Sequence, residues 1–142
     1  MMIFVLWGTQ FDEVPVTVFV SVLREAGLKV KIVGLHGQHI TGTHGLAIEP
    51  DMRLGEALAA APETECLVIP AGLRMLNQFR HDPRLAQLLK QVCTSDAKIV
   101  AGPGGDSGAR DRRMLQAGDV EFFPPEEGIF EFARHLASTL QS

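Results

Sequence analysis

The sequence has no tyrosine, one tryptophan and only two cysteines among its 142 residues. Cys66 and Cys93 fit no zinc-ligand spacing, so we expect reduced thiols, with Cys66 packed in a strand and Cys93 near the surface. No apolar run reaches the about 20 residues that a membrane helix needs. The apolar residues 1–7 have neither a basic leader nor a cleavage site. We therefore expect a cytoplasmic protein that has no contact with a membrane.

Positive charge is also scarce and dispersed. There are 13 Lys and Arg residues against 17 Asp and Glu residues, and the formal net charge is −4. The densest basic group, Arg110, Arg112 and Arg113, is interleaved with Asp106 and Asp111. A surface that binds nucleic acid needs clustered cations. The charge pattern therefore argues against a nucleic-acid partner.

What the sequence does contain is an alternation of short β-rich runs and longer stretches with helical spacing. The β-rich runs cover residues 3–7, 30–35, 66–70 and 98–101. The clearer helical stretches cover residues 82–92, 107–117 and 126–140, the last with Ile129, Phe130, Ala133, Leu136 and Leu140 on one side. This alternation predicts one α/β domain over residues 1–142. It is a three-layer sandwich with a flavodoxin-like parallel sheet and helices on both faces.

The first helix has an ambiguous signal. Residues 14–22 alternate like a strand, but Pro15 suits the first turn of a helix and Gly27 suits its C-terminal cap. One helical face would carry only apolar side chains: Val16, Phe19, Val20, Leu23 and Ala26. We therefore predict a helix between Pro15 and Gly27.

The most informative stretch is residues 97–105, an apolar strand that runs into a turn of glycine and proline. In doubly wound α/β enzymes such a turn places one side chain at the mouth of a site, beside the amides of the next helix. Here that side chain is Val100, which cannot attack carbon, transfer a proton or bind a metal. The turn therefore predicts a site that has kept its scaffold and lost its usual chemistry.

The turn itself is a candidate anion site. Gly102, Gly104 and Gly105 could leave backbone amides free to face an anion, and Arg110 could close over it. The loop lacks the Lys and the Ser or Thr of a phosphate-binding P-loop. The same residues also fit a simple turn that caps the next helix. Both interpretations stay open.

An ordered set of short motifs spans residues 3–105. It includes Phe11-Asp12-Glu13-Val14, Arg24-Glu25-Ala26-Gly27, Gly34-Leu35-His36-Gly37, Pro50-Asp51 and Pro70-Ala71-Gly72. In this order the motifs resemble the ThiJ/PfpI superfamily, which has the class I glutamine amidotransferase-like fold and includes the Parkinson's-disease protein deglycase. The resemblance implies a Rossmann-like sandwich and a homodimer.

The sequence departs from the family pattern at the positions that carry chemistry. The family places a nucleophilic cysteine in Ile-Cys-Ala/His-Gly-Pro, and the matching residues here are Ile99-Val100-Ala101-Gly102-Pro103. The carboxylate that the family sets beside this cysteine aligns with Pro15. The family's additional histidine has no counterpart in the short connection at residues 119–125. The resemblance thus implies a shortened, catalytically degenerate member.

The expected function is therefore binding of a small anionic ligand or a protein partner, with no catalytic residue, metal or cofactor. The candidate ligand-binding residues are Glu13, Gly72, Val100, Ala101, Gly102, Gly104, Gly105 and Arg110. Glu13 also fits a simpler interpretation, since an acidic pair that precedes a helix commonly interacts with the helix dipole.

Two alternatives stay open. A divergent hydrolase or a glyoxalase/deglycase-like enzyme could use Glu13 with a thiol such as Cys93 on small carbonyl compounds. Residues 114–125 resemble the fourth helix and fifth strand of receiver domains, but the acidic pair, the phosphoryl-accepting Asp and the Lys are missing. Only a pseudo-receiver that acts through protein contacts remains possible. His36, His39 and His44 could meet across one loop around a metal, but no carboxylate or cysteine completes the spacing, so we predict no metal.

Overall fold

The central sheet has six parallel strands, and a separate hairpin has two. The computed structural model describes residues 1–102 and 120–141. The sheet strands are β1 (Met2–Trp7), β2 (Val30–Gly34), β5 (Met52–Arg53), β6 (Thr64–Ile69), β7 (Lys98–Ala101) and β8 (Val120–Phe122), and β3 (Ile40–Thr41) and β4 (Ala47–Ile48) form the hairpin. The sheet order is β5-β2-β1-β6-β7-β8. The predicted helix at residues 107–117 lies outside the described residues, as do Gly104, Gly105 and Arg110.

Helices cover the sheet and confirm the predicted three-layer architecture. They are α1 (Glu13–Glu25), α2 (Leu54–Ala60), α3 (Leu73–Leu76), α4 (Pro83–Thr94) and α5 (Gly128–Gln141). The helix α1 packs against α5, and α2 packs against α4. All six residues of β1 are buried, as expected of a central strand covered on both faces.

The sheet topology has a switch point beside β1. The chain runs from β1 to β2 and β5 on one side, and it then returns to β6 on the other side of β1. The strand order therefore reverses between β1 and β6. In open α/β sheets, ligands bind outside the carboxyl ends of the strands at such a point.

The ambiguous first segment is a helix, as predicted. The Asp12 side chain caps α1 by accepting a hydrogen bond from the Val14 N–H at 2.9 Å, and Pro15 is buried in the first turn. At the other end Gly27 has a φ of +85°, and the Leu28 N–H donates to the Leu23 carbonyl oxygen at 3.2 Å. These contacts form a Schellman-type C-terminal cap, which requires the left-handed conformation that glycine adopts readily.

Some elements do not match the prediction. The strands β3, β4 and β5 contain two residues each, which is too short for an alternating pattern to be visible. The sequence pattern also does not predict the helix α2. The inward position predicted for Phe130 is wrong, because this side chain is 50% exposed with the Arg134 guanidinium 5.7 Å from the centre of its ring. The buried face of α5 instead contains Ile129, Ala133 and Leu136.

Two smaller expectations also have a structural outcome. Cys66 is buried in β6 and Cys93 is half-buried in α4, and the two form no disulfide with each other. Within the described part of the chain, none of the helices combines the length and the apolar character that crossing a membrane requires.

Candidate functional site

The loops after β6 and β7 touch each other through their backbones. The Gly102 N–H donates to the Ala71 carbonyl oxygen at 2.9 Å. A β-carbon on Gly102 would overlap the Ala71 carbonyl group and lie 2.7 Å from the Gly72 nitrogen. Glycine is therefore required at position 102 by close backbone approach. This contact joins the two loops at the carboxyl ends of the strands, where Gly72 is half-buried.

Val100 and Ala101 lie inside the sheet, and Val100 is not at the mouth of a cleft as the turn predicts. Both side chains are fully buried. Val100 is aligned with Val68 of β6 and Glu121 of β8, and the strand continues through Ala101. A nucleophile elbow holds its residue in a strained turn between strand and helix. Val100 is in an extended strand without a positive φ, which suits a β-branched side chain.

The Gly102 N–H was expected to be free to face an anion, but it donates a hydrogen bond to the Ala71 carbonyl oxygen. Gly102 therefore contributes close packing rather than a donor for a ligand. Pro15, at the position that aligns with the family's carboxylate, is buried in α1 and has no acidic or basic group. The remaining loop candidates, Gly104, Gly105 and Arg110, lie outside the described residues, so the predicted anion site stays a prediction.

Glu13 is buried and fully engaged by the hairpin. It is only 4% exposed. Its two carboxylate oxygens accept hydrogen bonds from the His44 backbone N–H at 2.9 and 3.0 Å, and one of them accepts a bond from the Leu46 N–H at 2.9 Å. The His44 ring nitrogen Nδ1 lies 3.0 Å from the Glu13 Oε1 atom. Glu13 is also the first residue of α1, where the helix dipole favours a negative charge. The carboxylate therefore joins the hairpin to the helix.

The hydrogen bonds keep Glu13 ionised. Burial on its own would raise the pKa of Glu13, but the backbone N–H groups of His44 and Leu46 and the His44 side chain outweigh it. Together they lower the pKa from its ordinary value of 4.5 to about 2. A carboxylate with such a low pKa is a poor general base at neutral pH, since it holds a proton too weakly.

Gly42 makes room for this carboxylate. A β-carbon on Gly42 would lie 2.6 Å from both the Cγ and the Oε1 atoms of Glu13. The hairpin is also held by backbone bonds from the Gln10 N–H to the Thr41 oxygen and from the Thr43 N–H to the Phe11 oxygen. The loop between β3 and β4 thus wraps around the start of α1.

Asp12, Glu13 and His44 form the one cluster of metal-ligating side chains found among the described residues. Their ligand atoms lie within 4.8 Å of one another. The His44 Nδ1 atom is 3.0 Å from Glu13 and 3.6 Å from Asp12. The backbone N–H groups of His44 and Leu46 already occupy both Glu13 oxygens. We therefore assign no metal here, and neither His36 nor His39 joins His44 in such a cluster.

A second polar pair lies at the carboxyl ends of β1 and β2. The Thr9 hydroxyl oxygen is 2.8 Å from the Nε2 atom of His36, and the Thr9 backbone N–H donates to the same nitrogen at 3.1 Å. The His36 ring stacks on Phe79 from the segment after β6, with centroids 5.7 Å apart and planes at 21°. No short-range pattern signals this pair, because 27 positions separate Thr9 from His36.

The comparisons with known proteins agree with this architecture. The DJ-1/PfpI family model matches residues 1–116. No curated protein sequence matches the chain significantly. Drosophila melanogaster DJ-1beta is similar in structure with a TM-score of 0.73 and 20% identity, over 98% of this chain and 89% of that one. Oxidized Toxoplasma gondii DJ-1 has a TM-score of 0.76 and 17% identity, over 98% of this chain and 90% of that one. A DJ-1 superfamily protein from Agrobacterium tumefaciens has a TM-score of 0.71 and 16% identity, over 99% of this chain and 90% of that one.

Proposed function

Because the chain belongs to the DJ-1/PfpI family, we propose that it is a member without the family's cysteine-dependent catalysis. Its function is to bind a small anionic ligand at the carboxyl ends of β1, β6 and β7. The observation that carries this proposal is the position of Val100, a fully buried valine within β7 where the family pattern has its nucleophilic cysteine.

The surroundings of Val100 support the same conclusion. Pro15 aligns with the family's partner carboxylate and carries no titratable side chain. The candidate acid Glu13 is hydrogen-bonded by the hairpin and has a pKa of about 2. The alternative of a glyoxalase or deglycase that uses Glu13 as its base is therefore disfavoured. The family assignment likewise favours this proposal over a pseudo-receiver.

The binding surface is argued from the fold. The strand order reverses between β1 and β6, and the backbones of Ala71 and Gly102 are joined at this edge. Small residues along the edge leave space for a ligand to approach the main chain. The negative charge of the ligand follows from the glycine-rich sequence after Gly102, in which backbone amides are the expected donors.

We expect inorganic phosphate to bind this edge weakly. Millimolar affinity corresponds to a binding free energy of about −4 kcal/mol. In a chemical-shift titration, the amides of residues 101–107, apart from Pro103, and of Gly72 should move together and saturate with one dissociation constant. Sodium chloride at matched ionic strength serves as the control. If the amides of residues 101–107 stay still while others move, the anion site is not in this loop.

A cysteine placed at position 100 should be slow to react. Because Val100 is buried in an extended strand, we expect the Val100→Cys thiol to react with iodoacetamide at least ~10-fold more slowly than free cysteine in the folded protein. The background is Cys93→Ser, which removes the half-buried native thiol. Denaturation in urea should restore the ordinary rate. A folded-state rate above that of free cysteine would instead indicate an elbow that activates the thiol.

Association with a second copy also stays a prediction. The large hydrophobic side chains that are exposed in the described residues are Met1, Val14, Leu46 and Phe130. Val14 lies on α1, and the apolar face predicted for that helix is buried within the domain. We expect a twofold dimer through α1, which would cover the exposed Val14 side chain.

A further inference from the structure

The pair formed by Thr9 and His36 has the geometry of a nucleophile and its base. The distance of 2.8 Å between the Thr9 Oγ1 atom and the His36 Nε2 atom lies within hydrogen-bond range. A hydroxyl is activated when an imidazole accepts its proton, and a third group commonly orients that imidazole. Here Phe79 orients the ring by stacking on it.

The hydrogen bonds assign the tautomer of His36. The Thr9 backbone N–H donates to Nε2, so this nitrogen carries a lone pair and the ring proton is on Nδ1. In this tautomer the Thr9 hydroxyl donates to the same nitrogen, whose single lone pair it shares with the backbone N–H. This is the protonation state that a general base requires.

The location is also that of a functional site. Thr9 and His36 follow the carboxyl ends of β1 and β2, and Phe79 reaches them from the segment after β6. Both Thr9 and His36 are exposed, so a small molecule can reach them. The next residue, Gln10, has a φ of +72°, a conformation that is costly for a residue other than glycine and is enriched at active sites.

We propose that Thr9 and His36 catalyse acyl transfer from small carboxylic esters to water. The Thr9 oxygen attacks the ester carbonyl carbon while its proton moves to the His36 Nε2 atom. The bond from that carbon to the leaving alcohol oxygen then breaks, and the alcohol takes the proton from His36. Water attacks the acyl-Thr9 ester and gives a proton to His36. Collapse releases the carboxylic acid and returns the proton to Thr9, which restores the starting state.

This activity goes beyond the proposed ligand binding and is independent of it. It uses neither Val100, nor a cysteine, nor the glycine-rich loop. Failure of the phosphate titration would leave the Thr9 and His36 pair untouched. Loss of ester turnover in a Thr9 variant would in turn say nothing about phosphate binding.

The test is hydrolysis of p-nitrophenyl acetate by the full chain in the Cys93→Ser background. We expect Thr9→Val to abolish turnover above buffer, because it removes the hydroxyl and keeps the backbone N–H that orients His36. Thr9→Ser should retain turnover. His36→Gln should lower the rate by roughly 100-fold, the usual contribution of a general base. Rapid acid quenching followed by mass spectrometry should locate an acetyl group on Thr9.

Matched controls separate this chemistry from nonspecific acetylation. His39→Gln removes another exposed loop histidine, and Thr17→Val removes an exposed threonine of α1, so neither should change the rate. Thermal unfolding and circular dichroism would establish that each variant is folded. The proposal is overturned if folded Thr9→Val hydrolyses the ester as fast as the parent, or if the acetyl group is found only on other residues.

Discussion

Replacing Gly102 with alanine should destabilise the protein severely. The new β-carbon would overlap the Ala71 carbonyl group and lie 2.7 Å from the Gly72 nitrogen. These are backbone atoms, which cannot rotate away as the end of a side chain can. The loops after β6 and β7 would have to separate, and the bond from the Gly102 N–H to the Ala71 oxygen would be lost. We expect a loss of about 3 kcal/mol, measured by urea unfolding of Gly102→Ala.

Gly55→Ala is the matched control for this substitution. Gly55 is exposed in α2, and a β-carbon there would meet nothing within 4 Å. Because alanine is the better helix former, this variant should be more stable by about 0.5–1 kcal/mol. A Gly102→Ala protein that unfolds at the same urea concentration as the parent would contradict the close approach of the two loops.

The sequence was sufficient to predict the layers and the order of the main elements. The strands around residues 3–7 and 98–101 and the cap at Gly27 follow from local patterns that are several residues long. Pro15 settled the ambiguous helix because its ring and missing N–H are compatible with the first turn. Such features depend on neighbouring residues, and so they can be read from the chain itself.

The environment of Glu13 could not be predicted in the same way. Its donors are mainly the backbone N–H groups of His44 and Leu46, and every residue except proline offers such a group. The hairpin that presents them consists of two-residue strands without periodicity. The sequence therefore identified Glu13 as unusual but not why.

Val100 shows a related limit. The motif around it correctly indicated the family. It did not indicate that Val100 would be buried within β7, the strand between β6 and β8, because the extent of a strand depends on its neighbours. Tertiary pairing thus decided whether position 100 belongs to the sheet or to a turn.

The stability contributed by Glu13 should disappear in acid. Its pKa is about 2 in the folded protein against an ordinary value of 4.5. A group with a depressed pKa stabilises the folded state fully above its unfolded pKa, and this contribution is lost as the pH falls toward the folded value. We therefore expect Glu13→Gln to lower the Tm by roughly 5–10 °C at pH 7. The difference in Tm between parent and variant should narrow between pH 4.5 and pH 2.

Two further variants test whether the hairpin contacts cause this effect. Glu25→Gln changes an exposed acid at the end of the same helix and should leave the Tm nearly unchanged across this pH range. Gly42→Ala keeps the Glu13 carboxylate but pushes it away from the His44 and Leu46 amides, because its β-carbon would lie 2.6 Å from the Glu13 Oε1 atom. The difference in Tm between the parent and Gly42→Ala should therefore narrow in acid, as it does for Glu13→Gln. If Gly42→Ala keeps the parent's full pH dependence, the amides of the hairpin do not hold the Glu13 pKa down.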